Sequence, residues 1–558
     1  MMMHHNIMNH LLSKKTSLLI FSFFLLFYIL PLGVRPIIIP DESRYAEIPR
    51  EMITSGDWIV PHLNGLRYFE KPVLGYWLNA LSIKLFGENA FAVRFLSAMA
   101  TGLSALILFL LVRRFDGESS SAWMAVLIFL TCFEVYGVGT FNILDSMLTM
   151  FVTASMTSFF FAINSKVLTK KRQGFFLLCG IFCGMAFLIK GFLAFVVPVV
   201  VIIPFMLWER RFKELFIIPW FPIIGAVLVA LPWAVMIYHK EPDFWHFFIW
   251  NEHIKRFLSE SAQHHESFWY YLELLPVAAP PWTFLFPAVI IGLKKAKIKT
   301  SIDRYVLCWF LFPLLFFSIS KGKILTYILP CFVPLAILVS KGLHEYFEAG
   351  DKKIFNAGGK VLAFLMVVIA IALVIVQING FNGFKPYQQI WKWAFAVISL
   401  LTFMFFLLLS CRKEKKLKKI LLYAVSPMFI MFSAQFILPD LTLQRKDPGD
   451  LLLRNAQFLQ PDTILISDES LISSVCWYLH RSDVYLLGVG GELGYGLAYE
   501  DASGRLIDMK SAVDLIKRNR GKIMLLARVK NILCWRDRLP KPVFQDDSGP
   551  EGFVLWRY

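Results

Sequence analysis

Long apolar stretches recur along the chain from Thr16 to Leu438, separated by short polar or basic loops, and then stop. Each is long enough to cross roughly 30 Å of hydrocarbon as a helix, and their spacing predicts about thirteen spans. These lie near 17–34, 91–112, 122–139, 143–163, 175–189, 192–208, 216–238, 276–293, 304–320, 324–341, 361–379, 391–410 and 420–438, with Lys190 splitting the stretch 175–208. From Pro439 to Tyr558 the texture changes. Strand-like runs at Thr463–Ile466, Val484–Leu487 and Lys522–Leu526, with helical patterns near 449–459 and 511–518, predict a small soluble α/β domain. The expected fold class is an α-helical multi-spanning membrane protein, with a transmembrane domain over 1–438, non-cytoplasmic loops at 35–90 and 239–275, and an α/β domain over 439–558.

Composition agrees with a bilayer environment: of 558 residues 57% are hydrophobic and only 17% charged, well outside the balance of a soluble domain. The net charge of +17 changes the picture only through its placement. Lys14-Lys15, Arg113-Arg114, Lys166 with Lys170-Lys171-Arg172, Arg210-Arg211, Lys294-Lys295, Lys352-Lys353 and the run Arg412 to Lys419 fall in alternate loops, all on one side. That side is cytoplasmic by the positive-inside rule, so the charge reads as topology and no nucleic-acid partner is expected. The first apolar segment has a basic leader but no small-residue cleavage site before Arg35, which predicts a retained signal anchor. Of the eight cysteines most lie in spans, as small apolar residues. Cys476 and Cys534 are the pair in the terminal domain; a disulfide there is compatible with an oxidising compartment, and spacing alone does not decide it.

Opposite the basic loops, three segments mix charge, aromatics and proline: Pro40 to Leu78, His239 to Tyr271, and Ser320 to Tyr327. Asp41 reads as the N-cap of a helix with Ile48, Met52 and Ile53 on one face, lying on the membrane surface. Either Asp41 only caps that helix, or, just past the first span, it meets a lipid-linked phosphate. Glu70-Lys71-Pro72 sets an oxygen ligand suited to a divalent cation beside a compact donor suited to phosphate. An ordinary exposed turn is the other reading of it. Asp145 opens an apolar stretch and is a functional candidate on that ground, unless it sits at the water interface. Glu134, deeper in the third span, is expected to pair with a neighbouring helix. In the second loop Glu252, His253 and Arg256 share a face at helical spacing, and Arg256 is a natural phosphate fork. His264-His265-Glu266 is a weaker metal candidate. Lys321 and Lys323, with Tyr327 beyond them, lie on the side where a cytoplasmic anchor has no use, and read as donors to anionic headgroups.

These segments carry a resemblance. Pro40-Asp41-Glu42-Ser43-Arg44-Tyr45-Ala46-Glu47-Ile48, Gly56 to Leu63, and Leu66 to Pro72 resemble the lipid A aminoarabinose transferases, which group with the protein mannosyltransferases in the multi-spanning lipid-donor (GT-C) glycosyltransferases. Thr140 to Asp145, Lys190 to Ala194, Phe244 to Phe257, Ala262 to His264, Phe268 to Tyr271, Lys321-Gly322-Lys323 with Thr326 to Leu329, Gly491 to Leu497 and Gly504-Arg505 extend it over nearly the whole chain. The terminal-domain match points to the aminoarabinose enzymes within the wider class. The resemblance implies transfer of 4-amino-4-deoxy-L-arabinose from undecaprenyl phosphate to a lipid A phosphate, at a site facing the periplasm of the bacterial inner membrane, with resistance to cationic peptides such as polymyxin as the outcome. It carries catalytic roles to Asp41 and Asp145, donor or acceptor contacts to Arg44, Lys71, Arg256, Lys321, Lys323 and Tyr327, and a divalent cation of unspecified identity to Glu70 and His253. The alternative is a related, mannosyltransferase-like enzyme with another carrier-linked sugar or a protein acceptor. A flippase or transporter would show repeated halves, which the chain lacks.

Overall fold

In hydrocarbon every backbone N–H and C=O must be satisfied inside its own segment, so apolar stretches of this length become helices. The computed structural model describes residues 16–116, 119–166, 169–255, 265–380 and 385–558. Lys14-Lys15, Arg256 and His264 lie outside the described residues. Among the described residues nine helices are long and apolar enough to cross a membrane, or eleven if each of two bent pairs counts as one span. The pairs are Ser119–Thr131 with Phe133–Gly139, bent by 67°, and Tyr270–Ala278 with Trp282–Ala296, bent by 100°. At the first bend Cys132 is extended and the Phe133 N–H, freed from its helix, donates to the Pro280 carbonyl at 3.0 Å. At the second, Pro280 and Pro281 have no N–H to continue the ladder. The expected spans at 192–208 and 420–438 take shorter forms, a 16-residue helix Leu193–Trp208 and the pair Lys416–Val425 and Met428–Ser433.

Contacts divide the chain into two compact units: Met1–Leu32, Phe95–Val374 and Ala394–Gln435 in one, Gly33–Arg94, Ile375–Trp393 and Phe436–Tyr558 in the other. This moves the boundary drawn at 438, because the segment after the first span packs with the terminal domain. That domain, among the described residues, holds a six-stranded sheet. Its strands are β3 (Ile464–Ser467), β4 (Tyr485–Leu487), β5 (Leu506–Ile507), β6 (Ile523–Arg528), β7 (Phe544–Asp547) and β8 (Phe553–Arg557), in the order β5-β4-β3-β6-β8-β7. The first four run parallel, and β8 is antiparallel to both β6 and β7. Ile466, Leu487, Ile507 and Leu525 bury one face under Ala512, Ile516 and Ile532 of the helices Met509–Arg518 and Val529–Trp535. The three expected strands are β3, β4 and β6. The polar β7, Phe-Gln-Asp-Asp, gave no alternation to read.

The early segment is fastened to this domain residue by residue. The strands β1 (His62–Leu63) and β2 (Leu66–Arg67) form a hairpin whose turn residues Asn64 and Gly65 both have positive φ, 58° and 68°, the Asn-Gly pair that such turns favour. A Cβ on Gly65 would lie 2.7 Å from the Ser482 carbonyl. Glu51 accepts from both turn N–H groups at 2.6 and 2.9 Å, and Asn64 donates to the Val484 carbonyl at 2.8 Å. The helix Asp41–Ser55 meets the helix Ile472–Leu479 through a Ser43–Ser473 hydroxyl pair at 2.7 Å. It is not the one-sided surface helix expected: Glu42, Glu47, Arg50 and Glu51 are buried along with Ile48 and Met52, because each charge has an internal partner. Cys476 points its thiol at Asn64 Oδ1, 3.5 Å away, while Cys534 is exposed, and both are free, which corrects the disulfide considered for them.

Glu42 anchors the helix. Its carboxylate takes two bonds from Arg35 (2.8 and 2.9 Å) and two from Arg94 (2.7 and 2.8 Å). Glu42 and Arg94 are both fully buried. Burial alone would raise the Glu42 pKa; the guanidiniums of Arg94 and Arg35 reverse this and bring it from the ordinary 4.5 to about 2. A group depressed in this way contributes stability that is complete above the unfolded-state pKa and is lost as pH falls through the folded value. Glu42→Gln removes one partner from a buried ionic cluster, with an expected loss of about 3–5 kcal/mol. In thermal unfolding of the detergent-solubilised protein, Glu42→Gln should melt lower at neutral pH and lack the part of the acid destabilisation that the parent shows as pH drops from 4.5 toward 2.

Candidate functional site

In the second unit the helix Asp41–Ser55 begins at Asp41 itself, with Pro40 in the N-cap position and no side-chain cap bond. The expected N-cap role of Asp41 is therefore corrected, and its carboxylate, 46% exposed, is left for other work. One turn on, Arg44 Nη2 lies 3.6 Å from Asp41 Oδ1 and 3.1 Å from Glu492 Oε2, and Nη1 donates to the Tyr68 hydroxyl at 3.2 Å. Tyr68 donates to Glu492 at 3.3 Å. Burial works against the Arg44 charge, and Tyr68 and Glu492 beside it outweigh burial, so its pKa rises. Arg44 has both terminal nitrogens engaged and braces Asp41. Lys71 Nζ donates to the Glu70 carbonyl at 2.7 Å and lies 3.9 Å from the Glu70 carboxylate.

The first unit gathers a separate set. Asp145, at the start of the helix Asp145–Ile163, is 6% exposed, so it is a buried group and not an interfacial one. Lys190, the last residue of the helix Lys170–Lys190, donates to Asp145 Oδ1 at 2.6 Å and sits 4.5 Å from the centre of the Tyr327 ring. Gly191, at φ +85°, ends that helix, and a Cβ there would lie 2.7 Å from both His253 Nε2 and Phe248. Glycine is what lets Lys190 turn inward beside the aromatic loop.

The segment Phe247–Lys255 is a π-helix, which departs from the α-helical spacing drawn for Glu252 and His253; Arg256 lies outside the described residues. His253 Nδ1 donates to the Phe248 carbonyl at 2.8 Å and Nε2 accepts from the Phe192 N–H at 3.3 Å. Glu70 and His253 are the residues expected to hold a divalent cation; both His253 nitrogens meet backbone groups, and the Glu70 carboxylate, in the other unit, lies 3.9 Å from Lys71 Nζ. Among the described residues the grouping close enough for one is Glu47, Glu51 and Cys476, with ligand atoms within 4.8 Å. There Glu47 is bonded by Arg50 at 2.6 and 2.7 Å and Glu51 by the Asn64 and Gly65 N–H groups. Lys323 is 3% exposed and donates to the Glu266 carbonyl at 2.8 Å. It sits beside the bridge between His265 and Gly322, and Lys321 lies half-buried on the same turn.

Lys190, Tyr68 and Glu492 were not among the expected site residues. Lys190 had a signal, a lone cation inside an apolar stretch, the rule that selected Asp145. Glu492 lies in the glycine-rich run Gly491 to Leu497, whose spacing says nothing of Arg44, 448 positions earlier.

Comparison with known proteins shows what kind of chain this is. Residues 13–248 match the family model described as dolichyl-phosphate-mannose-protein mannosyltransferase, and residues 443–556 match arabinosyl transferase ArnT, C-terminal domain. The undecaprenyl phosphate-alpha-4-amino-4-deoxy-L-arabinose arabinosyl transferase of Shewanella sediminis is 40% identical over 96% of this chain and 96% of its own length. The protein of the same name from Erwinia tasmaniensis is 39% identical over 98% and 99%. This chain belongs to the arabinosyl transferase family. The crystal structure of ArnT from Cupriavidus metallidurans bound to undecaprenyl phosphate has the same fold, with a TM-score of 0.82 at 22% identity over 97% of both chains. The Archaeoglobus fulgidus oligosaccharyltransferase, apo form, aligns at a TM-score of 0.53 and 11% identity over 93% of this chain and 70% of its own. Asp41, Arg44, Glu70, Lys71, Asp145 and Lys190 fall within the first family match, and Glu492 within the C-terminal one that sets the arabinosyl transferases apart.

The Asp145–Lys190 pair generates a stability test. Lys190→Met leaves a buried carboxylate uncompensated and should cost about 3–5 kcal/mol. The double variant Lys190→Met, Asp145→Leu, with neither charge, should recover most of that loss in thermal unfolding; equal melting of parent and single variant would mean that the pair contributes nothing.

Proposed function

We propose that this chain transfers 4-amino-4-deoxy-L-arabinose from undecaprenyl phosphate to a phosphate of lipid A, at the periplasmic face of the bacterial inner membrane, and so raises resistance to polymyxin-like cationic peptides. The observation that carries the proposal is the likeness to proteins of that name along essentially the whole chain, including the C-terminal segment 443–556. The chemistry is one of charge. Both the departing carrier phosphate and the attacking acceptor phosphate are anions, and an acceptor monoester, with a second pKa near 6, is already largely deprotonated. Its oxygen attacks the sugar's anomeric carbon as the bond from that carbon to the carrier phosphate oxygen breaks. On this reading Lys71 and Arg256 stabilise the leaving phosphate. Asp41, exposed and braced by Arg44, orients the acceptor and acts only secondarily as a base. Asp145 and Lys190 form a fixed polar floor in their own unit. The mannosyltransferase-like alternative rests on the match at 13–248 and leaves the C-terminal match without a role.

Mass spectrometry of lipid A from cells with and without the chain tests the reaction: an added aminoarabinose is expected with it, and an unmodified profile would refute the proposal. Asp41→Asn should nearly abolish the addition while expression and membrane insertion persist, since Asp41 makes no cap bond to lose. Normal transfer by the variant would remove Asp41 from the site. For Lys71→Ala, loss of a charge-assisted bond to phosphate corresponds to about 1.5–3 kcal/mol. Titration of donor at fixed acceptor with purified protein should then show a roughly ten- to hundred-fold higher half-saturating concentration.

A further inference from the structure

The parallel part of the terminal-domain sheet reverses its winding between β3 and β6. From β3 the chain moves outward through β4 to β5, then returns to β6 on the other flank of β3. In sheets wound this way ligands bind at the carboxyl ends of the two strands at the reversal, because the loops leaving them part in opposite directions. Here those ends are Asp468, next after β3, and Arg528, the last residue of β6. The buried Asp468 clasps them together. Its carboxylate accepts from the Arg528 N–H at 2.7 Å, from Asn531 Nδ2 at 2.8 Å and from the Ser470 hydroxyl at 2.7 Å. The Arg528 side chain is half-buried beside this clasp. Its Nε donates to Ser470 Oγ at 2.9 Å and its Nη1 to the Arg445 carbonyl at 3.4 Å, and the guanidinium sits 5.4 Å from the centre of the Phe553 ring.

Two routes of contact lead from these strand ends to the start of the helix Asp41–Ser55. On one, Glu469 Oε1 accepts the Glu492 N–H at 3.1 Å, and the Glu492 carboxylate lies 3.1 Å from Arg44. Gly491, at φ +47°, permits that approach, since a Cβ on it would collide with the Glu469 carboxylate. On the other, Lys446, next to the Arg445 that takes the Arg528 bond, accepts the Ile39 N–H at 2.9 Å, two residues before Asp41. The Arg528 end of the sheet is thus brought to the acidic motif. Among the described residues the contacts that fix the Arg528 guanidinium are neutral, a hydroxyl, a carbonyl and a ring, whereas the neighbouring Arg445 is paired with Glu551. A planar fork held in place with its charge intact is suited to a phosphate. We infer that the carboxyl ends of β3 and β6 bind the phosphorylated headgroup of the acceptor, with Arg528 holding the acceptor phosphate that is not attacked. The inference rests on the lipid A reaction proposed above: that acceptor carries two phosphates, one reacts, and the other arrives with it as a second anion. Arg528 is then a specificity-determining residue for a doubly phosphorylated acceptor.

The test titrates lipid A with both phosphates, and each of its two monophosphorylated forms, against the purified full chain and Arg528→Ala at saturating donor. For the parent one monophosphorylated form should accept no sugar. The other should need a roughly tenfold or higher concentration for half-maximal transfer than the doubly phosphorylated acceptor. In Arg528→Ala the doubly phosphorylated acceptor should need that higher concentration too, and removal of its second phosphate should cost nothing further. Arg528→Lys, which keeps the charge without the fork, should recover part of the preference. The half-saturating concentration of undecaprenyl phosphate aminoarabinose should stay as in the parent; a rise in it would assign Arg528 to the carrier phosphate and overturn the inference. Equal weakening toward the doubly phosphorylated acceptor and the reactive monophosphorylated one, the mark of a merely structural staple, overturns it as well, as does a parent indifferent to the second phosphate or a preference that survives in Arg528→Ala. Acceptor-induced thermal stabilisation supplies the same comparison where transfer by a variant is too slow to follow. These outcomes leave the reaction standing, whereas a parent that transfers no aminoarabinose refutes the reaction itself and this role for Arg528 with it.

Discussion

An ionised group is costly to bury unless it is paired, and the most deeply buried charges of both units are paired within the fold. The arrangement of both units follows from that constraint. In one, Glu42 is gripped by Arg35 and Arg94, which ties the stretch before the helix Asp41–Ser55, the start of that helix and Arg94 at one point. In the other, Asp145 and Lys190 close on each other between the helices Asp145–Ile163 and Lys170–Lys190. Pairs of this kind add little net stability over well-packed hydrophobic residues. What they do is make one arrangement of the helices far better than its neighbours, since any displacement strands a charge.

The same constraint makes the departure of Asp41 meaningful: it stays partly exposed at the first position of a helix whose other acids are buried. Arg44, by contrast, is fully engaged, and its contribution is to hold Asp41 through a guanidinium shared with Tyr68 and Glu492. The C-terminal domain therefore takes part in shaping the acidic motif, because Glu492 sits on a glycine-rich turn of that domain and Asn64 is bonded to the start of β4.

Much of this was legible along the chain. Apolar stretches a bilayer thick read as helices, and the change of texture near Pro439 reads as the start of an α/β segment, because hydrophobic length and period are local properties. The mixed-charge segments, and among them Asp41, Lys71 and Asp145, stand out from their surroundings for the same reason, as does Lys190 in hindsight. What the sequence could not determine was pairing. That Lys190 belongs to Asp145, that Arg44 is turned inward toward Glu492, that His253 uses both its nitrogens on backbone groups, and that residues 33–94 pack with the terminal domain are all outcomes of contacts between distant positions. A charge reads the same in sequence whether its partner lies one turn away or four hundred residues away; only the tertiary structure decides which charges are cancelled and which remain for chemistry.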